Sequence, residues 1–233
     1  MIKSLDDVSD RYDALFVDLW GCVHNGVKAY SSANDSLKKY RAKGGKVVLV
    51  TNSPRPRSGV EKQLIKFGVD PEAWDLIATS GDSARMAMFQ GVVGNKIYFI
   101  GTPYEENFFE PLNVVKNPVN IERVPIGEAE GIVCTGPFNS LENLDVYSSD
   151  FEFAKKRGLK LLCANPDIIV DRGNIREWCA GALAKMYTDL GGESLYFGKP
   201  FQPIYDLARR RLSSSGVQIN DNRILAIGDG IAT

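Results

Sequence analysis

Histidine is almost missing from this chain: there is one, His24, among 233 residues. That scarcity excludes a His-rich metal centre and a relay of two imidazoles. Cysteine is sparse as well. Cys22, Cys134, Cys163 and Cys179 lie far apart and form no C-x-x-C pair, so the usual zinc-site spacing is absent. A disulfide framework is not expected in a chain of this size, which leaves reduced thiols, with Cys134 and Cys163 in apolar runs as core residues. Neither sign of charge dominates: 28 Lys and Arg against 29 Asp and Glu give a net charge of -1. Nothing in that balance draws the chain to nucleic acid or to a membrane surface. No apolar run approaches the roughly 20 residues that span a bilayer. The N-terminal MIKSLDDVSDRYDALF has no uninterrupted apolar core of a signal peptide. The expectation is a cytoplasmic protein without a nucleic-acid or membrane partner.

What the chain does have is a series of short apolar runs, each ending in polar residues. Ala14–Val17 is wholly apolar and is followed at once by Asp18, then Leu19-Trp20-Gly21. Such a run suits a strand buried on both faces of a parallel sheet. A carboxylate at its C-terminal end stands where open α/β sheets place their ligands. Residues 31–43 read as a helix capped by Ser31 or Ser32, with Leu37 and Tyr40 facing the core and Gly44-Gly45 as its stop. Val47–Val50 is the next strand and ends in Thr51-Asn52-Ser53. Strand, helix, strand makes a right-handed βαβ unit, so Asp18 and Thr51 end neighbouring strands on one sheet edge. Residues 58–67 and 81–89 read as helices, with a short strand at Trp74–Thr79 between them.

From about Gly94 the pattern restarts. NKIYFIG, GIVCTG and LKLLC read as strands, ENFFEPL as a short helix or turn, and residues 143–157 and 180–190 as helices. This is a second α/β unit set inside the first. Leu195–Phe197 then reads as a core strand closed by Gly198-Lys199-Pro200, residues 203–212 as a helix, and RILAI as the last strand, ending in Gly228-Asp229-Gly230.

Four core strands therefore end, in chain order, in a carboxylate, a hydroxyl, a cation and a carboxylate. Phosphoryl transfer uses that set. A carboxylate can attack phosphorus, and two carboxylates with waters and a phosphate oxygen can hold Mg²⁺. A lysine supplies a point charge to the remaining phosphate oxygens. Hydroxyl and backbone N–H groups supply hydrogen bonds.

With FVDLWGCVHNG, VVLVTNSPRP, FGKP and ILAIGDG in this order, the chain resembles the haloacid dehalogenase superfamily of phosphatases, class IIA. These are the p-nitrophenylphosphatase-like and sugar or nucleotide phosphatases, and the stretches GIVCTGPFN and LLCANPDIIV resemble their cap. The resemblance covers nearly the whole chain. It implies an α/β fold with a Rossmann-like parallel-sheet core, residues 1–81 and 186–233, and an inserted α/β cap, residues 82–185. It also implies Asp18 as nucleophile. Mg²⁺ would be held by Asp18, the Trp20 backbone carbonyl and Asp229, and phosphate by Thr51, Asn52 and Lys199. The partner implied is a small phosphorylated substrate, with a homodimer through the cap as a family trait. Asn139, Asn165 and Asp167 are the cap residues that could meet substrate, and Asn165-Pro166-Asp167 reads equally well as a structural Asx-type turn. Arg172, Arg176 and Trp178 read either as contacts to an anionic or planar substrate or as ordinary surface and core residues.

Two departures from the family pattern bear on activity. Trp20 stands where such phosphatases carry a second Asp, the proton donor to the leaving group. Losing a general acid/base removes about 10²–10⁴-fold in rate, so a slow phosphatase is expected, least impaired on good leaving groups. A catalytically degenerate phosphometabolite-binding protein is the alternative. A metal-free 2-haloacid dehalogenase is a further one, disfavoured because the stretch between Asp18 and Thr51 leaves no room for that group's cap. His24 reads as an exposed loop residue, with a substitute acid/base role as its other reading. The fourth motif also lacks the later acidic residue of the family. It would fall near Thr233, so either a truncated chain or an incomplete core with weaker metal binding is expected.

Overall fold

The computed structural model describes residues 4–102, 106–172 and 174–230. It is an α/β fold in two compact units. The first unit comprises residues 1–51, 57–79 and 202–233, and the second residues 52–56 and 80–201, so most of the second is inserted between two stretches of the first.

The first unit runs α1 (Asp6–Ser9), β1 (Ala14–Val17), α2 (Ser31–Ala42), β2 (Lys46–Thr51), α3 (Arg57–Phe67) and β3 (Leu76–Thr79). In the second unit lie α4 (Ser80–Phe89), β4 (Lys96–Ile100), β5 (Glu122–Arg123), β6 (Gly131–Cys134), α5 (Ser148–Lys156), β7 (Lys160–Cys163), β8 (Ile169–Arg172), β9 (Ile175–Trp178), α6 (Ala180–Asp189) and β10 (Glu193–Tyr196). The chain then returns to the first unit with α7 (Gln202–Ser214) and β11 (Ile224–Ile227).

The sheet of the first unit has the order β11-β1-β2-β3, every pair parallel. All four residues of β1 are buried, as a strand covered on both faces requires. Leu15, Val17, Val47, Leu49 and Ile77 pack with Leu37 and Tyr40 of α2 and Val60 and Leu64 of α3. The alternate residues Phe16, Val48 and Val50 point the other way, and α7 packs against β2 and β3. It does so with an apolar stripe of Ile204, Leu207, Ala208 and Leu212 at helical spacing. Tyr40 also donates its hydroxyl to the Tyr12 carbonyl at 2.9 Å, and burial pushes its pKa up to about 12. At the start of α2 the expected serine cap is not used: Tyr30 is the N-cap residue and makes no side-chain capping bond.

The second unit holds a five-stranded parallel sheet, β10-β7-β6-β4-β5. Its core joins Ile132, Cys134, Leu161 and Cys163 of the strands to Phe151 of α5 and Leu183 and Tyr187 of α6. Every residue of α4 is buried, including Asp82 and Arg85. The Arg85 guanidinium is hydrogen-bonded through each of its three nitrogens. It donates to Asp82 Oδ1 at 2.9 Å, to the Phe108 carbonyl at 2.9 Å and to the Glu110 carbonyl, so the buried charge is paired and hydrogen-bonded.

Two sequence expectations change here. The sequence pattern groups Leu195–Phe197 with the core strands, yet β10 belongs to the second sheet, in parallel register with β7 (Tyr196 opposite Cys163). A run of apolar residues states that a strand is buried but not in which sheet. The expected helix over 143–157 is divided into a 3₁₀ turn at Leu144–Tyr147 and α5, because Asn143 accepts from the Asp145 N–H and starts a separate turn. The hairpin β8–β9 was not expected. Polar Asp171, Arg172, Arg176 and Glu177 hide its strand pattern, while the Gly173-Asn174 pair was the available hairpin signal. The expectation about an acidic residue near Thr233 falls on residues 231–233, outside the described residues. No helix among the described residues is long and apolar enough to cross a membrane.

Candidate active site

In the first unit the polar strand ends fall where the sequence places them. β1 and β11 pair in register up to Val17 and Ile227, and the ladder continues with the Asp18 N–H donating to the Ile227 carbonyl at 2.9 Å. Asp18 and Asp229 thus leave adjacent parallel strands at the same edge. Thr51, at the end of β2, pairs in register with Thr79 of β3. The half-buried Asp18 carboxylate is oriented by its neighbour, because Leu19 N–H donates to Oδ1 at 2.7 Å. From α7, Tyr205 feels that carboxylate: burial first, then the Asp18 charge, holds its phenol above the ordinary tyrosine range. Sequence reasoning gave no sign of Tyr205, because an aromatic residue in an amphipathic helix reads as core.

The carboxylate of Asp229 lies against the α-carbon of Gly21. A Cβ built on Gly21 would fall 2.0 Å from Asp229 Oδ2, and Gly21 has φ +79, so a side chain there would be strained and would displace the Asp229 carboxylate. Two carboxylates and a backbone carbonyl suit a hard divalent cation that retains several waters. Among the described residues no group of three or more His, Cys, Asp or Glu side chains is placed to hold a metal. The bonds that close the loop after β1 leave the Trp20 carbonyl aside: His24 N–H donates to the Leu19 carbonyl at 3.1 Å, and Gly21 N–H to the His24 carbonyl at 3.0 Å.

His24 is not an exposed loop residue; it is 4% exposed. Its ring lies edge-on between Trp20, at 5.5 Å, and Phe67, at 5.0 Å. Nδ1 accepts from Gly26 N–H at 3.0 Å, which assigns the remaining proton to Nε2. Burial lowers its pKa to about 4. The Trp20 indole covers Gly26 so closely that a Cβ there would stand 2.3 Å from the ring.

Asn52 and Lys199 belong to the second unit, where the structure ties them together. Asn52 is 5% exposed and Lys199 6%. Asn52 Oδ1 accepts from Lys199 N–H at 2.6 Å, and Nδ2 donates to the Lys199 carbonyl at 3.2 Å and to Asp167 Oδ1 at 2.8 Å. Both Nδ2 protons are engaged, so any hydrogen bond from Asn52 to a phosphate falls to its backbone N–H. The Lys199–Pro200 peptide is cis. Gly198 lies under this knot: a Cβ there would stand 2.5 Å from both Asn52 Oδ1 and Pro166 Cδ, and 2.7 Å from Ser80 Oγ.

Of the cap candidates, Asn165 makes an Asx turn by accepting from Asp167 N–H at 3.0 Å. Asn139 does the same locally, accepting from Leu141 N–H at 3.0 Å on an exposed loop. Arg172 pairs with Glu177 and Arg176 with Asp171 across the β8–β9 hairpin, in exposed ion pairs. None of the four cysteines is in a disulfide. Cys134, Cys163 and Cys179 are buried, and burial pushes Cys163 and Cys179 up to about 12. Cys22, in the loop after β1, is partly exposed.

A family model described as haloacid dehalogenase-like hydrolase matches residues 15–114. The crystal structure of a haloacid dehalogenase-like family hydrolase from Brucella suis 1330 matches with TM-score 0.91 and 42% identity, covering 100% of this chain and 83% of that one. The p-nitrophenyl phosphatase of Archaeoglobus fulgidus matches with TM-score 0.61 and 25% identity, covering 89% of this chain and 75% of that one. A glycerol phosphate phosphatase from Mycobacterium tuberculosis in complex with magnesium matches with TM-score 0.69 and 20% identity, covering 97% of this chain and 64% of that one. No curated protein matches the sequence.

Proposed function

The chain belongs to the haloacid dehalogenase-like hydrolase family, and on that premise we propose that it is a Mg²⁺-dependent phosphomonoester hydrolase acting through an aspartyl phosphate on Asp18. The observation that carries this reading is the pair of carboxylates, Asp18 and Asp229, leaving adjacent parallel strands at one edge, with Asp229 seated on Gly21. The phosphatases among the similar structures support it, and the one that contains magnesium supports the choice of metal.

In this reading an Asp18 oxygen attacks phosphorus, the bond to the leaving-group oxygen breaks, and water then hydrolyses the acyl phosphate to release phosphate and restore Asp18. Asp18, the Trp20 carbonyl and Asp229 would hold Mg²⁺, which when bound neutralises charge on the phosphoryl oxygens. Thr51, Lys199 and the Asn52 backbone N–H would bind the remaining oxygens. The cap, within residues 82–185 on the family pattern, would select a small phosphorylated metabolite.

The leaving group is where this chain differs. An indole at position 20 cannot donate a proton, and His24 is no substitute: its pKa is about 4 and its Nδ1 is engaged by Gly26. The leaving oxygen must depart as an anion or take a proton from water. The enzyme is therefore slow on alkyl phosphates and least impaired where the leaving group is acidic, as in aryl phosphates and phosphoanhydrides.

The test is phosphate release from p-nitrophenyl phosphate with and without Mg²⁺, in the wild type and in Asp18→Asn, with acid-quench trapping of the phosphorylated residue. Mg²⁺-dependent release that falls at least about 10³-fold in Asp18→Asn is expected. Release that survives the substitution, or halide release from 2-haloacids in place of phosphate, would overturn the reading.

A further inference from the structure

We propose that Asp167 is a positioning residue that fixes Lys199 by acting through Asn52. The inference rests on the reading of Lys199 as a phosphate-binding group. The three residues are remote in sequence, 115 positions from Asn52 to Asp167 and 147 from Asn52 to Lys199, yet they form one hydrogen-bonded knot within the second unit, with Asn52 and Lys199 buried and Asp167 partly so.

The Asn52 amide meets both backbone groups of Lys199, its N–H and its carbonyl, as a facing strand would. That pairing works in one orientation of the amide only. Rotated by half a turn, Oδ1 would face the Lys199 carbonyl and the Asp167 carboxylate, two acceptors, and Nδ2 would face the Lys199 N–H, a donor. Asp167 Oδ1, at 2.8 Å from Nδ2, selects the productive orientation with a charge-assisted bond. Asp167 is itself immobilised. Its N–H is held by Asn165 Oδ1 at 3.0 Å, and its carbonyl accepts from Gly181 N–H at 3.1 Å, in the first turn of α6.

Tightness around the knot makes the orientation consequential. Lys199 is 6% exposed, and Gly198 before it has no room for a side chain. A backbone released at this point would carry the Lys199 ammonium with it. Misplacement of a binding group by about 1 Å lowers rates by up to about 10²-fold. Asp167 is thereby assigned to geometry and not to contact with substrate.

The experiment compares Asp167→Ala, Asp167→Asn, Asn52→Ala and the double variant Asn52→Ala/Asp167→Ala. The readouts are kcat and KM for p-nitrophenyl phosphate with Mg²⁺, the inhibition constant of orthovanadate, and thermal unfolding. Asp167→Ala is expected to lower kcat/KM and weaken vanadate binding about 10–100-fold. Asp167→Asn keeps an oxygen acceptor for Asn52 Nδ2 and is expected to recover most of that loss. The double variant is expected to be no worse than Asn52→Ala alone. Additive losses, or an Asp167→Asn variant as impaired as Asp167→Ala, would overturn the proposal and point to a carboxylate that acts by its charge. If Asn52→Ala does not fold, the two Asp167 variants decide. Lys199→Met separates the two levels. If it leaves turnover and vanadate binding intact, the phosphate-binding reading of Lys199 fails and the positioning role falls with it. If it abolishes both while Asp167→Ala changes neither, the positioning role alone fails.

Discussion

The loop after β1 and the knot around Lys199 each hold a polar strand end in place, but with opposite materials. Residues 19–30 are fixed by rings: Trp20 on Gly26, His24 between Trp20 and Phe67, with a neutral imidazole accepting one backbone proton. The knot is fixed by an amide, a carboxylate and backbone groups drawn from three remote segments. Apolar packing tolerates reshaping if volume is kept. A buried polar network depends on every partner, because an unpaired group left inside costs about 1–3 kcal/mol. The first region should therefore be repairable by a second apolar change, and the second only by restoring a hydrogen bond, as Asp167→Asn tests.

The largest effect expected in the first region comes from Trp20→Asp. A carboxyl group at this position restores a proton donor beside Asp18 and should raise turnover of alkyl phosphates about 10²-fold, with much less change on p-nitrophenyl phosphate. The ratio of the two rates is the quantity to measure. An unchanged ratio would mean that proton transfer does not limit the chemistry. Gly26→Ala comes next. It forces a Cβ to within 2.3 Å of the Trp20 ring at φ +81, and should destabilise the protein by about 2–4 kcal/mol in urea unfolding. Trp20→Ala in the same chain removes the collision and should leave the smaller penalty of the positive φ, about 1 kcal/mol, together with the loss of the ring's own packing. Absence of any recovery would break the picture of a loop held by its rings.

The smallest of the three is a pH effect. The folded His24 pKa, about 4, lies below the ordinary value of 6.5, so the unfolded chain binds the extra proton more readily. The stability this imidazole contributes is complete above about pH 6.5 and is lost as pH falls towards 4. Between pH 7 and pH 5 the wild type should lose about 2 kcal/mol more than His24→Gln, measured by urea unfolding at both values. Parallel loss in both proteins would mean that His24 is not buried neutral.

How far the sequence revealed these regions follows from the same contrast. The strand-end positions of Asp18, Thr51 and Asp229 are legible because each closely follows an apolar run, and parallel pairing aligns such ends. The surroundings of His24 could not. A lone histidine in a polar, Gly-containing loop reads as solvent-exposed, and its partners Phe67 and Gly26 follow no local periodicity. Asp167 was visible as part of Asn165-Pro166-Asp167, but its partner Asn52 lies 115 residues away, and no local pattern spans that distance. Lys199 stands out in the sequence through Gly198-Lys199-Pro200, while the sheet of the preceding strand is misassigned because burial carries no address.

The distribution of thiols gives each unit its own chemical clock. Cys134, Cys163 and Cys179 are shut inside the second unit, and Cys163 and Cys179 are kept protonated well beyond neutral pH. Cys22, in the first unit, is partly open to solvent. A thiol-specific reagent added to the native protein therefore marks Cys22 first, and the other three only as their surroundings come apart. The order in which adducts accumulate separates local breathing of the loop after β1 from rupture of the second hydrophobic core, with no engineered label in either.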